Sequence, residues 1–339
     1  MISLLSLSLD EIKDNIKDLG FKAFRGEQLY KALIKGTKIE NITTLSKDFL
    51  IMIGQKYDLE PLRVIKTQTS ADGTIKFASS LRDKNIVETV IMKYKYGYTV
   101  CVSTQVGCRM GCKFCASTKG GFVRNLDAGE ILAQVVLANT IIGERVTNIV
   151  LMGCGEPLDN YINVIKFIKL VNAPYGLNIG IRHISLSTCG LVDKIKLLAD
   201  EGLGLNLTIS LHAPNDDIRK QIMPIANRYT IDEILQCCDY YFEKTRRRIY
   251  FEYTLCTIND SIECAKELAH KLKGRVCHVN VIRMNDTTSS LKASSEDVAK
   301  QFVKELVKHN ISASLRRTLG EDIDGACGQL RNRIEENLC

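Results

Sequence analysis

The sequence predicts an α/β fold of parallel βα units, preceded by a helical module and a small β segment, and three patterns carry that prediction. Beyond residue 98, six short apolar runs of β character alternate with amphipathic helical stretches. From residue 62 to 92, β-rich runs are broken by Ala71-Asp-Gly73 and Arg82-Asp-Lys84, the punctuation of hairpins. Ahead of both, apolar residues recur at helical spacing.

In chain order, Leu9, Ile12, Ile16 and Leu19 share one helical face, and Gly20 stops that helix. A second helix starts near Gly26 and carries Leu29, Leu33 and Ile34. Residues 1–60 balance nine basic against nine acidic side chains. Lys22, Arg25, Lys31 and Lys35 could meet nucleic acid there, or the module could simply pack on the rest of the chain; both readings stay open. Residues 61–98 form the β extension, which ends in Lys93-Tyr-Lys-Tyr-Gly-Tyr98. Aromatics interleaved with lysines suit base stacking, and equally an exposed strand edge.

From 99 to 339 the βα units succeed one another, with strands expected at residues 99–103, 146–152, 183–187, 205–211, 249–255 and 277–282. Asp127 with Glu130 and Thr230 with Glu233 are capping-box pairs that start helices. Val298, Phe302 and Leu306 make a later apolar stripe. In such folds chemistry gathers on loops at the carboxyl ends of the strands. Those loops hold Cys108-Arg-Met-Gly-Cys112-Lys-Phe-Cys115, Gly153-Cys-Gly-Glu156-Pro, Ser187-Thr-Cys-Gly190, Ser210-Leu211-His212-Ala-Pro and Arg283-Met-Asn285-Asp.

Composition bounds the class. At 339 residues with 45% hydrophobic and 25% charged side chains, the chain can bury a full core and is expected to be soluble. No apolar run approaches the roughly 18 residues of a membrane span. The opening residues lack a basic leader, so a cytoplasmic location is expected. Net charge is +7, and its excess is local: residues 61–126 hold eleven basic against three acidic side chains. A solvated basic face and a polyanion partner both fit that excess.

Thirteen cysteines in a chain of this class read mostly as small core residues. The loop from Cys108 to Cys115 is the exception, with three thiols in eight residues and no nearby His. Three ligands leave one metal position open, which suits an iron–sulfur cluster that takes a small molecule as its last ligand. Gly153-Cys-Gly155 is no dinucleotide fingerprint, because position 158 is Leu where a third glycine would stand. Glycines that admit a ligand to the backbone, with a carboxylate next to them, suit an amine-bearing cofactor. A non-enzymatic RNA-binding protein with a structural zinc site is the rival from another class.

Cys-x3-Cys-x2-Cys after the first strand of a βα series resembles the signature of the radical S-adenosylmethionine (SAM) enzymes. Further motifs are Val87-Glu88-Thr-Val90, Cys101-Val-Ser-Thr-Gln-Val-Gly-Cys108, Gly155-Glu-Pro-Leu158, Ser210-Leu-His-Ala-Pro-Asn215, Met223-Pro-Ile-Ala-Asn227 and Asp322-Ile-Asp-Gly-Ala-Cys327-Gly-Gln-Leu330. In this order they resemble the RlmN family of RNA adenine C2-methyltransferases, over nearly the whole chain.

The resemblance implies a radical SAM partial (β/α)6 TIM-like barrel with an N-terminal helical module and small β extension. It implies that Cys108, Cys112 and Cys115 hold a 4Fe-4S cluster and that Gly155, Glu156, Ser187, Ser210, Leu211, His212 and Asn285 surround SAM. It further implies that Cys327 is methylated by a first SAM, that Cys101 pairs with it transiently to release product, and that Glu88 accepts a proton. The implied partners are 23S rRNA, tRNA and an electron donor such as flavodoxin or ferredoxin, in a monomer without membrane attachment. A Cfr-type enzyme, which methylates C8 with the same cysteines and confers antibiotic resistance, is the nearest rival; Gly155-Glu-Pro-Leu158 favours C2. The chain departs from the family pattern at Asp286, where proline is usual, and at Cys154, where Met or Thr is usual.

Overall fold

A computed structural model describes residues 1–284, 291–324 and 329–336. The chain opens with three helices, α1 (Leu9–Asp18), α2 (Ala23–Ile34) and α3 (Lys47–Lys56). The Ser8–Glu11 capping box starts α1, which buries Leu9, Ile12 and Ile16, the face that the spacing predicts. Gly26 lies where α1 and α2 cross; a Cβ there would come within 3.1 Å of both Ile12 and Ile16.

Next come β1 (Leu62–Thr69), β2 (Ile75–Leu81), β3 (Ile86–Tyr94) and β4 (Gly97–Cys101), an antiparallel meander. A short pair succeeds it, β5 (Gln105–Gly107) and β6 (Phe122–Asn125), with the cysteine loop between its strands. Then α4 (Ala128–Ile142), β7 (Val146–Leu151), α5 (Tyr161–Asn172), β8 (Ile184–Thr188), α6 (Val192–Asp200) and β9 (Asn206–Ser210) alternate. The series closes with α7 (Asp216–Ile222), α8 (Ile231–Thr245), β10 (Ile249–Leu255), α9 (Ile262–Leu272), β11 (Cys277–Arg283), α10 (Glu296–Lys308), β12 (Ala313–Leu315) and α11 (Gln329–Glu336).

Ten strands form one sheet in the order β1-β2-β3-β4-β7-β8-β9-β10-β11-β12. From β4 onward every pairing is parallel, so the α/β architecture of βα units is present. Three details differ from the sequence expectation. The β segment before residue 98 is continuous with the parallel sheet, because β4 pairs with β3 on one side and β7 on the other. A seventh parallel strand, β12, is three residues long and too short to carry a periodic signal. The first parallel strand also ends at Cys101, two residues early: Ser103 N–H turns to Gln134 Oε1 and Thr104 N–H to the Cys154 carbonyl.

The helical module shares one hydrophobic core with the sheet and its helices. Asp127, the N-cap of α4, accepts hydrogen bonds from Ser3 N–H at 3.1 Å and Ser6 Oγ–H at 2.8 Å. Strand register puts Lys76, Ala78, Glu88, Val90 and Cys101 on one face of β2–β4. Leu330 of α11 packs against Ala78 and Ile86 on that face. Among the described residues no helix is long and apolar enough to cross a membrane.

Candidate active site

The cysteine loop is closed at its base by β5 and β6. Gly107 has φ +75°, and a Cβ there would overlap the Gly121 carbonyl oxygen; Cys108 N–H donates to that oxygen at 2.9 Å. Only glycine fits this left-handed, crowded position. At the far side Lys113 N–H donates to the Ile222 carbonyl of α7 at 2.9 Å.

The next wall is the turn after β7. Thr104 and Gln105 N–H both donate to the Cys154 carbonyl, and Glu156 N–H donates to Gln105 Oε1 at 2.8 Å. Gly155 has φ +103°, and a Cβ on it would lie 2.6 Å from Gln105 Cβ. The turn therefore seats against the loop after β4 only because Gly155 lacks a side chain. The Glu156 carboxylate is buried; its oxygens accept from Leu158 N–H at 3.0 Å and Cys189 N–H at 2.8 Å. Burial raises its pKa, which these hydrogen bonds oppose.

On the third wall Ser187 Oγ and Ser210 Oγ lie 3.2 Å apart. His212 stands at φ +59°. Its Nδ1 accepts from Thr254 N–H at 3.0 Å, and its carbonyl accepts from Asn259 Nδ2 at 2.8 Å. Its ring meets Phe114 edge to face at 4.7 Å. Burial, reinforced by Arg219, pulls its pKa down to about 3. The imidazole is thus neutral at physiological pH, with its proton on Nε2.

These three walls enclose one cavity. It is lined by Cys108, Cys112 and Cys115, by Gly155 and Glu156, and by Ser187, Ser210 and His212. Leu211 is not among its lining residues; its side chain is in the core and its N–H donates to the Glu252 carbonyl. Asn285 lies outside the described residues, as does Cys327.

The three cysteines line one cavity and are soft donors for a metal group. Burial pushes the Cys108 thiol up to about 12, with Cys115, Glu156 and Cys154 adding to the push. The Cys112 thiol is also raised, by burial and then by Cys115 and Cys108. Thiolates in such a place need a cationic partner, which a bound metal supplies. Among the described residues no three His, Cys, Asp or Glu side chains converge on a single ion position.

Glu88 and Cys101 are not among the residues lining this cavity; they share the face of β2–β4 on which Leu330 of α11 packs. Glu88 Oε2 pairs with buried Lys76 Nζ at 3.1 Å, and Oε1 accepts from Arg331 N–H at 2.6 Å. Lys76 Nζ also donates to the Asp324 carbonyl at 2.6 Å. Asp322 binds Ser70 Oγ and Ala71 N–H, and Gln68 Nε2 donates to Asp324 Oδ2 at 2.9 Å. The described residues on both sides of Cys327 are therefore fastened to the face that carries Glu88 and Cys101.

Sequence reasoning missed Lys76, Gln105, Arg219 and Asn259. Lys76 counted only toward a basic stretch, and Asn259 sits in ordinary turn composition. Each acts through long-range contacts that no local pattern announces.

Known proteins share both the sequence and the fold. Residues 102–272 match the model of the Radical SAM superfamily. A protein of Clostridium perfringens (strain SM101 / Type A) named "Probable dual-specificity RNA methyltransferase RlmN" is 51% identical over 336 residues, covering 98% of this chain and 97% of that one. One of the same name from Clostridium novyi (strain NT) is 48% identical over 343 residues, covering 99% and 100%. The crystal structure of a radical SAM methyltransferase from Sphaerobacter thermophilus superposes with a TM-score of 0.93 at 38% identity, covering 97% of this chain and 99% of that one.

Proposed function

The chain belongs to the RlmN family of radical SAM RNA methyltransferases, and from that premise we propose that it methylates C2 of adenosine in 23S rRNA and in tRNA. The observation that carries the site assignment is the meeting of three cysteines, the Gly155-Glu156 turn, Ser187, Ser210 and His212 around one cavity. The relatives at about half identity over the full length bear the RlmN name, so C8 methylation of the Cfr type is not favoured.

When bound, a 4Fe-4S cluster and SAM supply an electron and a 5′-deoxyadenosyl radical able to take hydrogen from an unactivated methyl group. Cys108, Cys112 and Cys115 would hold the cluster. The Gly155 backbone, Glu156, Ser187, Ser210, His212 and Asn285 would orient SAM, with neutral His212 offering its Nε2–H, while Leu211 holds the turn between Ser210 and His212 from the core. Cys327 takes up the methyl group and delivers its carbon to C2. Glu88 receives the proton lost from C2. Cys101, as thiolate, would then bond to the Cys327 sulfur as the sulfur–carbon bond breaks; such exchange needs a thiolate on the attacking sulfur. The freed carbon would take a proton to become the methyl group, the adduct's unpaired electron passing back to the electron carrier.

The substrate adenine reaches this cavity by extrusion from its stack, at a cost of a few kcal/mol. Lys113 and Lys119 are exposed on the cysteine loop and available to phosphates, whereas Arg109 pairs with Asp159 at 3.0 Å. On this reading residues 1–60 are an accessory RNA-binding module, 61–98 the sheet extension and 99–339 the catalytic core. The protein works as a monomer and draws electrons from a flavodoxin or ferredoxin.

The decisive experiment reconstitutes iron and sulfide anaerobically, then supplies SAM, reductant and rRNA or tRNA fragments. The expected product is 2-methyladenosine, lost in Cys327→Ala; 8-methyladenosine as sole product overturns the regiochemistry. Zinc without iron or acid-labile sulfide in the isolated protein overturns the cluster.

A further inference from the structure

Arg219 is not among the residues that line the cavity, and it is 0% exposed. Its guanidinium donates to carbonyls from three separate loops: Nε to Leu211 at 3.2 Å, Nη2 to Cys189 at 2.7 Å and Nη1 to Tyr229 at 3.4 Å. None of the ion pairs among the described residues includes it, although the similarly buried Lys76 has Glu88. Carbonyl dipoles alone leave a buried cation costly.

What surrounds Arg219 is the back of the reaction cavity. The Cys189 peptide that accepts from Arg219 also donates to Glu156 Oε2 at 2.8 Å, so one residue's backbone joins the cation to the cavity carboxylate. The helix that carries Arg219, α7, receives Lys113 N–H from between Cys112 and Cys115. Burial lowers the Arg219 pKa, and nearby Cys189, Cys112 and Asp216 oppose that. Asp216 is thus a nearby carboxylate, and the Lys113–Ile222 hydrogen bond ties the helix of Arg219 to the cysteine loop.

We propose that Arg219 is a positioning residue of the reaction centre, which ties the loops after β8 and β9 to α7 and supplies the fixed positive charge that raises the reduction potential of the iron–sulfur group. The inference rests on the assignment of Cys108, Cys112 and Cys115 as its ligands. A thiolate-ligated cluster becomes more negative when it takes up an electron. A cation held close by, in a region from which water is excluded, stabilises the reduced form preferentially. Three carbonyls from three loops fix the guanidinium, so its charge acts without rearrangement.

The test is an anaerobic redox titration of the reconstituted protein against viologen dyes, with Arg219→Gln and Arg219→Lys beside the parent. Gln retains donors without charge, and Lys retains charge without the planar fork. At fixed potential the reduced-to-oxidised ratio is expected to fall about tenfold in Arg219→Gln, equivalent to about 59 mV for a one-electron couple. In Arg219→Lys it stays near the parent value, while the melting temperature drops. An Arg219→Gln protein with full iron and the parent's ratio overturns the assignment, as does a Lys variant that falls as far as Gln. Where Arg219→Gln does not fold, Arg219→Lys decides alone: a parental ratio supports the charge, and a tenfold fall refutes it. A parent that binds no iron is a separate result, the failure of the cysteine assignment itself.

Discussion

His212 shows how one residue joins structure and chemistry. A non-glycine residue at φ +59° is uncommon, and here the left-handed turn aims the ring into the cavity while Thr254 N–H fixes Nδ1 as an acceptor. Burial and Arg219 hold its folded pKa near 3, against about 6.5 in an unfolded chain. As pH falls, the unfolded chain takes up this proton first. The group's contribution to stability is therefore complete above about pH 6.5 and is lost as pH falls toward about 3, with a limiting slope of about 1.4 kcal/mol per pH unit. Urea melts of the apoprotein between pH 7.5 and 5 should show this slope, and His212→Asn should reduce it by as much as one proton's worth. Equal slopes in parent and variant would sink the assignment of a buried neutral imidazole. His212 was legible as a rim residue because it lies just past a strand, within Ser210-Leu-His. Its backbone conformation, and its dependence on Asn259 and Arg219, were not, since partners 47 and 7 residues away leave no local trace.

At the scale of elements, the local signals were the reliable ones. The capping boxes of α4 and α8 form as Asp127–Glu130 and Thr230–Glu233, because a cap is satisfied within four residues. The β5–β6 pair and β12, with three or four residues each, left no periodicity to read. Yet β5–β6 governs the site, since it closes the base of the cysteine loop. Gly107→Ala is expected to force both a strained φ and a clash with the Gly121 carbonyl, with strain of about 1–3 kcal/mol. The ends of the loop would separate, and iron bound per chain after reconstitution should drop while the fold survives. Gly143, also at positive φ but with open space around it, is the control. Gly143→Ala should lower the melting temperature slightly and leave iron content alone. Full iron loading in Gly107→Ala would show that the β5–β6 closure does not hold the ligands.

For the whole molecule, the charge count needs the structure before it means anything. Among the eleven basic residues of 61–126, Lys76 is buried against Glu88, and Arg124 is forked between Asp83 and Glu130. The basic excess thus divides into side chains that hold the sheet together and side chains that face solvent, a division that composition cannot make. The same holds for domain boundaries, because a change from helical to β periodicity at residue 61 marks an element boundary and not a break in the core. Leu4, Leu5, Ile12, Leu29 and Phe49 belong to the same cluster as Ile131, Val135 and Val164, and Asp127 fastens residues 3 and 6 to the start of α4. Helices that share one core with a sheet should melt with it. Calorimetry of the apoprotein is expected to give one transition, and deletion of residues 1–60 should bare the apolar face of α4 and yield aggregated protein. A separate early transition, absent from a soluble 61–339 chain, would instead establish the first sixty residues as an autonomous module, free to move relative to the barrel while it engages RNA.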